Sequence, residues 1–298
     1  MTGWHVTAVV VTHEGPGERI RRCLDALAET GGCDAAVVVD NSPRTPHGED
    51  PRAGYGPSVR AVITMPNRGY GAAANQGFAW AQGRVPDELQ SAVLLLNDDV
   101  VVRTGWRGPL LDALEGDSVG AVQPKILFAA DGTVNSAGVQ LDRAFAGSDV
   151  GIGSVDGPEW TGAVEVDAFS GGAVLFRSDF LDDTGGFDER YFLYYEDVDL
   201  ALRGRARGWR LTCQRDAVVE HDFGASTARM GDARRQMQER NRLWTAARHA
   251  PPRSLFDAYW LSVRRLRHTP RRTHALALAG GLAGAPSRLV GRCWEMCR

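Results

Sequence analysis

Two adjacent carboxylates directly follow an apolar run in this chain. Residues 94–96 are all Leu, and they lead into Asn97, Asp98 and Asp99. Carboxylate oxygens suit hard divalent cations, and Mg²⁺ takes only one or two of them when substrate phosphates complete its ligands. A cation held here would stabilise the negative charge on a diphosphate leaving group. The same residues are also common in surface turns, so this pattern alone leaves both interpretations open.

A second pair of carboxylates, Glu196 and Asp197, comes directly after the aromatic-rich segment 191–195. The pair stands at an expected helix start, where the helix dipole favours negative charge, so stability explains part of the pattern. A carboxylate beside an aromatic wall is also suited to take the proton of an acceptor hydroxyl. We therefore expect Asp197 to be a general base, and Asp199 to form an i,i+4 ion pair with Arg203.

Other polar residues follow apolar runs elsewhere. Asp40 ends one run, where it either accepts hydrogen bonds from a nucleoside or caps a turn. The segment 67–77 opens with Asn67 and Arg68, and Gly71 within it permits close approach of the protein backbone to a ligand. Packing of a helix explains the alanines of this segment equally well.

His221 follows the apolar segment 217–220. A lone histidine is more often structural than a metal ligand. Asp99 alone would hold a cation weakly, however, and a second ligand is required. His221 is our candidate for that second ligand.

The elements that must position these residues follow from the periodicity. Apolar runs rich in Val, Ile and Leu alternate with helical patterns, which is typical of strands buried on both faces of a parallel sheet. We predict strands at 6–11, 35–39, 59–65 and 92–96 and helices at 18–29 and 70–82. This order indicates an open, doubly wound α/β sheet with right-handed crossovers. Because ligands bind at the carboxyl ends of such strands, the polar ends, Thr12 included, should converge on one edge.

Charge is distributed unevenly along the 298 residues. Residues 1–202 carry 14 basic and 30 acidic side chains, whereas residues 203–298 carry 20 basic and 7 acidic ones. The basic final third predicts contact with an anionic partner such as a lipid surface, a diphosphate or a nucleic acid. No aromatic-basic motif typical of nucleic-acid binding accompanies it, so we expect no nucleic-acid partner.

Composition also limits the location of the protein. No apolar run is long enough to predict a spanning helix, and the amino terminus lacks the basic region of a signal peptide. The five cysteines are scattered and form no CxxC pair, which argues against a thiolate metal site. We therefore expect a reduced, cytoplasmic location.

Eight segments within residues 5–250 resemble, in order, glycosyltransferase family 2 with its GT-A fold, and especially its bacterial rhamnosyltransferase-like branch. Each segment is loosely defined alone, whereas eight in the order of the family are specific. They are VVVTHEGPGERIRRCLDAL, VVVDNSP, NRGYGAAANQG, LLLNDDV, GAVQPKILFAADGTVNSAG, SGGAVLFR, GGFDERYFLYYEDVDLALRGRARGW and VVEHDFGAST.

The resemblance implies roles for these positions. Asp99 and His221 would be ligands of Mg²⁺ or Mn²⁺, and Glu196-Asp197 the catalytic pair whose aspartate is the base. Many members of this branch have Asn-Pro-Asp where this chain has Asn97-Asp98-Asp99. Nucleotide or donor-sugar binding is implied for Thr12, Asp40, Asn67, Arg68, Gly71, Asn97, Asp98, Ser170, Gly171 and Gly172.

The implied organisation is one GT-A domain with an extension. Residues 1–104 would be its nucleotide-sugar-binding half, residues 105–227 its acceptor-binding and catalytic half, and residues 228–298 a basic helical extension. Prolines at 251, 252 and 270 divide that extension into three predicted helices. Arginines with interleaved Trp and Leu suit helices lying at an anionic membrane, here the inner face of the plasma membrane. Alternatively, these helices pack on the acidic domain or mediate a homodimer.

The implied reaction moves a sugar from dTDP-rhamnose or a UDP-sugar to a hydroxyl of a glycan, a lipid-linked or a small-molecule acceptor, in the synthesis of a cell-surface glycan or glycoconjugate. Asp197 would take the acceptor proton, and attack opposite the diphosphate would invert the sugar carbon. Two alternatives remain. A sugar nucleotidyltransferase needs a Lys- or Arg-bearing phosphate loop, which residues 12–17 lack. A non-catalytic GT-A-like scaffold would lack one of the carboxylates.

Overall fold

The computed structural model describes residues 3–42, 54–85, 88–116, 118–222, 231–267 and 271–296. The predicted boundary at 227–228 and the predicted break at Pro270 lie outside these residues. The strands are β1 (Trp4–Thr12), β2 (Ala35–Asp40), β3 (Ala61–Thr64), β4 (Gln90–Asn97), β5 (Val100–Val102), β6 (Val119–Phe128), β7 (Val134–Ser136), β8 (Val139–Leu141), β9 (Gly147–Asp149), β10 (Ala163–Glu165), β11 (Ala173–Arg177) and β12 (Arg210–His221). The helices are α1 (Glu18–Thr30), α2 (Tyr70–Gln82), α3 (Arg107–Leu114), α4 (Ser178–Thr184), α5 (Glu196–Ala206), α6 (Gly231–His249), α7 (Pro252–Arg265) and α8 (Arg271–Met296).

One large sheet forms the centre of the fold, in the order β10-β12-β6-β11-β4-β1-β2-β3. Strands β3, β2, β1 and β4 are mutually parallel, and β6 is parallel to β12. Strand β11 runs antiparallel to both of its neighbours, β4 and β6. The predicted α/β, mostly parallel, doubly wound sheet is therefore confirmed. The reversed strand is a finding that the periodicity did not predict.

The reversal of β11 has a consequence for function. Ala173, at the start of β11, pairs with Leu96, near the end of β4. The loop that enters β11 therefore lies at the carboxyl edge of the parallel strands. The backbone N–H of Asn97 donates to the carbonyl of Gly172 at 3.0 Å, which joins this loop to the end of β4.

Helices cover both faces of the sheet, which explains the continuous apolar runs. In β4, Val93 and Leu95 pack in a cluster with Phe78 of α2, while Leu94 and Leu96 belong to the opposite cluster with α1 and α3. A strand that is buried on both faces needs apolar side chains at every position.

The three carboxyl-terminal helices pack together and against the main domain. Leu243 and Ala246 of α6 form a small core with Ala250, which follows α6, and Ala258 of α7. This arrangement matches the predicted helical extension after the sheet. Among the described residues, no helix is long and apolar enough to cross a membrane.

Candidate active site

A cleft of about 960 Å³ opens at the carboxyl edge of the sheet. It collects most of the residues that the sequence predicted for function, because the parallel strands and the loop before β11 end at this edge. The predicted residues that line it are Thr12, Asn67, Asn97, Asp98, Asp99, Ser170, Gly171, Gly172, Glu196, Asp197 and His221.

Asp98 is held by groups of the protein itself. The hydroxyl of Thr12 donates to its carboxylate at 2.6 Å, and Arg19 of α1 donates to it at 3.2 Å. Burial raises the pKa of Asp98, while these donors and the charge of Arg19 oppose that rise. Asp98 thereby links the ends of β1 and β4 and orients Thr12 and Arg19 at the cleft.

Asp99 has a different environment. Its Oδ1 is buried and accepts no hydrogen bond from the residues that the structure describes. The Nε2 of His221 lies 3.2 Å from this oxygen, and the Nδ1 of the same ring lies 3.0 Å from Oδ1 of Asn135. A proton on Nδ1, donated to Asn135, leaves the Nε2 lone pair facing a carboxylate oxygen. Because the lone pairs of His221 Nε2 and Asp99 Oδ1 then face each other, a proton or a metal cation is needed between these two atoms.

These atoms fit a divalent cation. Two ligands about 2.1 Å from an octahedral ion lie about 3 Å apart, close to the observed separation of the Asp99 and His221 atoms. Asn135 supplies the outer hydrogen bond that orients a metal-binding imidazole. Within the described parts of the chain, no three His, Cys, Asp or Glu side chains cluster to hold a metal. Two protein ligands are nevertheless typical where substrate phosphates and water complete the coordination of Mg²⁺.

Asp197 lies in the first turn of α5, and two backbone N–H groups orient its carboxylate. The N–H of Gly171 donates to its Oδ2 at 3.0 Å, and the N–H of Val198 donates to its Oδ1 at 2.8 Å. Burial raises the pKa of Asp197 to about 6, although both donors favour the charged form. The carboxylate is therefore ionised at neutral pH and more basic than an exposed aspartate.

Glu196 is adjacent to Asp197 but differs from it chemically. Its side chain is buried, and its Oε2 has no hydrogen-bond partner among the described residues. Burial, with the neighbouring charge of Asp197, raises the pKa of Glu196 well above its usual range. A neutral carboxylic acid in this position is a hydrogen-bond donor to a bound ligand.

Several residues of the cleft were missed by the sequence analysis, among them Asp149 and Tyr70. Asp149 of β9 lines the cleft, and burial raises its pKa although a hydrogen bond from Ser136 opposes that rise. Tyr70 of α2 donates its hydroxyl to the carbonyl of Gly171 at 2.6 Å and so fixes the loop before β11. No sequence motif includes Asp149. Tyr70 lies in the segment 67–77, which the sequence analysis selected because of Asn67, Arg68 and Gly71.

Three predicted residues do not line this cleft. Asp40 is fully buried and accepts hydrogen bonds from Ser42 N–H at 2.8 Å and from the Tyr55 hydroxyl at 2.7 Å. Arg68 is exposed and pairs with Glu189 at 2.8 Å. Gly71 lies inside α2, where a Cβ would stand 2.9 Å from Cβ of Phe187, so close packing explains the glycine. Their assigned roles in nucleotide binding stay predictions.

Comparison with known families agrees with the motifs. The model of the family described as Glycosyl transferase family 2 matches residues 7–178. An N-acetylglucosaminyl-diphospho-decaprenol L-rhamnosyltransferase of Mycobacterium tuberculosis is 30% identical over 244 residues, which are 75% of this chain and 78% of that protein. The O-antigen biosynthesis protein RfbC of Myxococcus xanthus is 34% identical over 156 residues, 49% of this chain and 12% of that protein.

Solved structures share the fold at low sequence identity. GalNAc-T7, determined with UDP, GalNAc and Mn²⁺, has a TM-score of 0.64 at 13% identity, covering 92% of this chain and 54% of that chain. The mannosyltransferase PcManGT of Pyrobaculum calidifontis, in complex with GDP-Man and Mn²⁺, has a TM-score of 0.54 at 18% identity, covering 96% of this chain and 87% of that chain. The chain belongs to glycosyltransferase family 2, as a rhamnosyltransferase-like member with the GT-A fold.

Proposed function

We propose that the chain is an inverting sugar transferase with dTDP-rhamnose as its leading donor and a UDP-sugar as the alternative. The observation that carries the proposal is Asp197, a half-buried carboxylate that two backbone N–H groups hold at the cleft. The loop that orients it, 170–172, also lies beside Asn97 at the end of β4. The proposed base and the proposed donor-binding edge at the end of β4 therefore belong to the same cleft.

Residues of this chain account for each requirement of a single displacement. Asp197 takes the proton of the acceptor hydroxyl, which attacks the sugar carbon from the face opposite the diphosphate. Asp98, Thr12 and Arg19 form a preorganised polar edge for the nucleotide. Mg²⁺ or Mn²⁺, held by Asp99 and His221, would supply positive charge to the leaving diphosphate. The neutral Glu196 donates a hydrogen bond to a sugar hydroxyl.

The name of the mycobacterial relative suggests an acceptor class. That protein is named for the transfer of L-rhamnose to N-acetylglucosaminyl-diphospho-decaprenol. We propose a lipid-linked sugar diphosphate as the acceptor here, in synthesis of a cell-surface glycan. The aromatic side chains Phe192, Tyr194 and Tyr195 next to Asp197 give the cleft an apolar wall for the acceptor sugar.

A donor panel tests the reaction itself. Purified protein is given dTDP-rhamnose, UDP-galactofuranose or UDP-glucose with a short-chain polyprenyl-diphosphate-linked acceptor, with and without Mg²⁺ or Mn²⁺. We expect release of nucleoside diphosphate and an inverted linkage in the product. In a parallel assay with dTTP or UTP and a sugar 1-phosphate, release of pyrophosphate would identify a nucleotidyltransferase instead. No turnover with any donor would favour a non-catalytic scaffold.

We also propose that the extension rests on the inner face of the plasma membrane. Six of the ten exposed large hydrophobic side chains among the described residues lie on α7 and α8. They are Phe256, Trp260, Val263, Leu276, Leu282 and Leu289. Residues 251–289 contain seven arginines and a single acidic residue, Asp257. An apolar face surrounded by arginines suits an anionic bilayer, whereas a second copy would bring like charges together.

Vesicle binding tests this proposal. We expect the protein to sediment with phosphatidylglycerol vesicles at low salt and not with phosphatidylcholine vesicles. The double variant Phe256→Ser/Trp260→Ser should lose vesicle binding, and Leu89→Ser, at an exposed apolar residue outside the extension, should retain it. Indifference to anionic vesicles, or a dimer that the double variant dissociates, would overturn the membrane assignment.

A further inference from the structure

The segment that leads into the proposed base has an uncommon backbone. Phe192, Tyr194 and Tyr195 all have positive φ, at 68°, 69° and 69°. Positive φ is unfavourable for a bulky residue, because it brings the Cβ too close to the backbone carbonyl oxygen. Such a conformation persists only where the surrounding structure fixes it. Since Glu196 follows directly, whatever fixes this segment also sets the start of α5.

Asn241 of α6 provides that fixation. It is fully buried, and its Nδ2 lies 3.1, 2.9 and 2.7 Å from the carbonyl oxygens of Tyr191, Leu193 and Tyr194. A side-chain amide has two hydrogens, so three carbonyls share them. One side chain therefore binds the whole segment.

The orientation of the Asn241 amide is itself fixed. Arg240 donates its Nε–H to Oδ1 of Asn241 at 2.9 Å and its Nη2–H to the carbonyl of Tyr191 at 3.2 Å. Its guanidinium also lies over the ring of Trp244, 4.4 Å from the centroid. These contacts point the amide hydrogens of Asn241 at the segment.

Helix α2 holds the same segment from the opposite side. The N–H of Tyr70 donates to the carbonyl of Phe192 at 2.8 Å. Gly69 has a φ of 97°, and a Cβ there would collide with that same carbonyl. The segment is thus clamped between α2 and α6, which are distant in the chain.

We propose that Asn241 is a positioning residue for catalysis: it holds residues 191–195 in the conformation, with positive φ at Phe192, Tyr194 and Tyr195, that directs Glu196 and Asp197 into the cleft. The inference rests on the proposed role of Asp197 as base. Loss of the three hydrogen bonds would let the segment relax and move Asp197 relative to the acceptor. A misplacement of about 1 Å in such a group is sufficient to lower a rate about 10²-fold.

Asn241→Ala tests the proposal, with Leu243→Ala as its matched control. Leu243 is equally buried on α6 but faces Gly281 of α8 rather than the segment. We expect kcat to fall about 10–100-fold in Asn241→Ala, with the KM for donor within about twofold of the wild-type value. Leu243→Ala should lower thermal stability yet keep kcat within about twofold below its unfolding temperature.

Hydrogen exchange of residues 188–200 supplies a readout that does not depend on activity. Exchange there should accelerate at least tenfold in Asn241→Ala and stay unchanged in Leu243→Ala. If Asn241→Ala does not fold, Arg240→Gln, which removes the group that orients the amide, should show both effects more weakly. Unchanged kcat and exchange in the folded variant would overturn the clamp. Accelerated exchange in Asn241→Ala, together with a wild-type protein that shows no transferase activity, would instead reject the proposed function alone.

Discussion

Four carboxylates of one cleft carry different charges and contacts. Asp98 is bound by Thr12 and Arg19, whereas Asp99 Oδ1 faces the imidazole of His221. Two backbone donors orient Asp197, and burial, with the neighbouring charge of Asp197, raises the pKa of Glu196 well above its usual range. Environments that separate the pKa values of neighbouring acids assign them to different chemical tasks.

The pH dependence of transfer follows from Asp197. A base must be ionised to accept a proton, and the pKa of Asp197 is raised to about 6 by burial. We expect kcat to be constant at neutral pH and to fall tenfold per pH unit below about pH 6. Asp197→Asn should lower kcat at least about 10²-fold while the affinity for donor is kept. An intact acid limb in the residual activity of Asp197→Asn would show that another group titrates.

The metal assignment predicts that variants of Asp99 and His221 differ from a variant of another histidine of the cleft. Asp99→Ala and His221→Ala each remove an atom of the proposed site and should weaken Mn²⁺-dependent binding of nucleoside diphosphate at least tenfold, measured by calorimetry. His13→Ala is the matched control, because His13 also lines the cleft but pairs with Asn41 instead. Equal losses in all three variants would indicate a general effect on the cleft rather than a metal site.

At the scale of elements, α5 is anchored by a buried ionic cluster. Asp199, two residues after the proposed base, is fully buried and binds Arg203 at 2.9 Å, Arg248 at 3.2 Å and His249 at 2.9 Å. The predicted pair of Asp199 with Arg203 is thus present, but two partners from α6 join it. The helix that carries Asp197 is therefore attached to the extension as well as to the sheet.

This cluster predicts a large loss of stability. Asp199→Asn leaves buried cations without their counter-charge, which costs about 3–5 kcal/mol in the free energy of unfolding. Glu165→Gln, in the exposed pair with Arg210, should cost less than about 1 kcal/mol. The cationic partners hold the pKa of Asp199 far below its usual value despite burial. Its contribution is therefore complete above about pH 4 and is lost as pH falls below it. Urea titrations measure the free energy of unfolding of both variants. Equal losses in Asp199→Asn and Glu165→Gln would contradict the proposed importance of the buried cluster.

Elements of the first half were predictable because their signal is local. The runs that became β1, β2 and β4 are apolar at successive positions since each strand is covered on both faces. The direction of β11 was not predictable, because a central antiparallel strand has the same burial and therefore the same composition.

Contacts between segments that are distant in the chain limit how much of the site can be predicted from the sequence. Asp40 and Asp99 both follow apolar runs, yet Tyr55 covers one of them and the other reaches the cleft. Asn241 has no sequence signal, since its three partners lie about fifty residues earlier in the chain. Spacing indicates which residues share an element, but it does not indicate which elements meet.

At the scale of the whole molecule, the charge asymmetry is partly neutralised at an internal interface. The basic extension meets the acidic part of the chain through Arg248, which pairs with Asp188 and Asp199, and through Arg288, which pairs with Asp188. Arg288 is buried and lies over the rings of Tyr191 and Trp244, 4.8 Å from each centroid. The extension is thus joined to the segment that precedes the proposed base, while the outer faces of α7 and α8 remain exposed.

This interface predicts that the chain unfolds as one unit. Burial of Arg288 couples α8 to the catalytic half, so Arg288→Ala should lower the Tm of the entire protein by about 5–10 °C. Arg264→Ala, at an exposed position of α7, should change it by less than about 1 °C. Far-ultraviolet circular dichroism and tryptophan fluorescence should report a single coincident transition in all three proteins, because Trp106 lies under the sheet and Trp244 in the extension. An early, separate transition of the extension in the wild type would mean that its contacts do not stabilise the catalytic half, and that Asn241 could not hold the base in place through them.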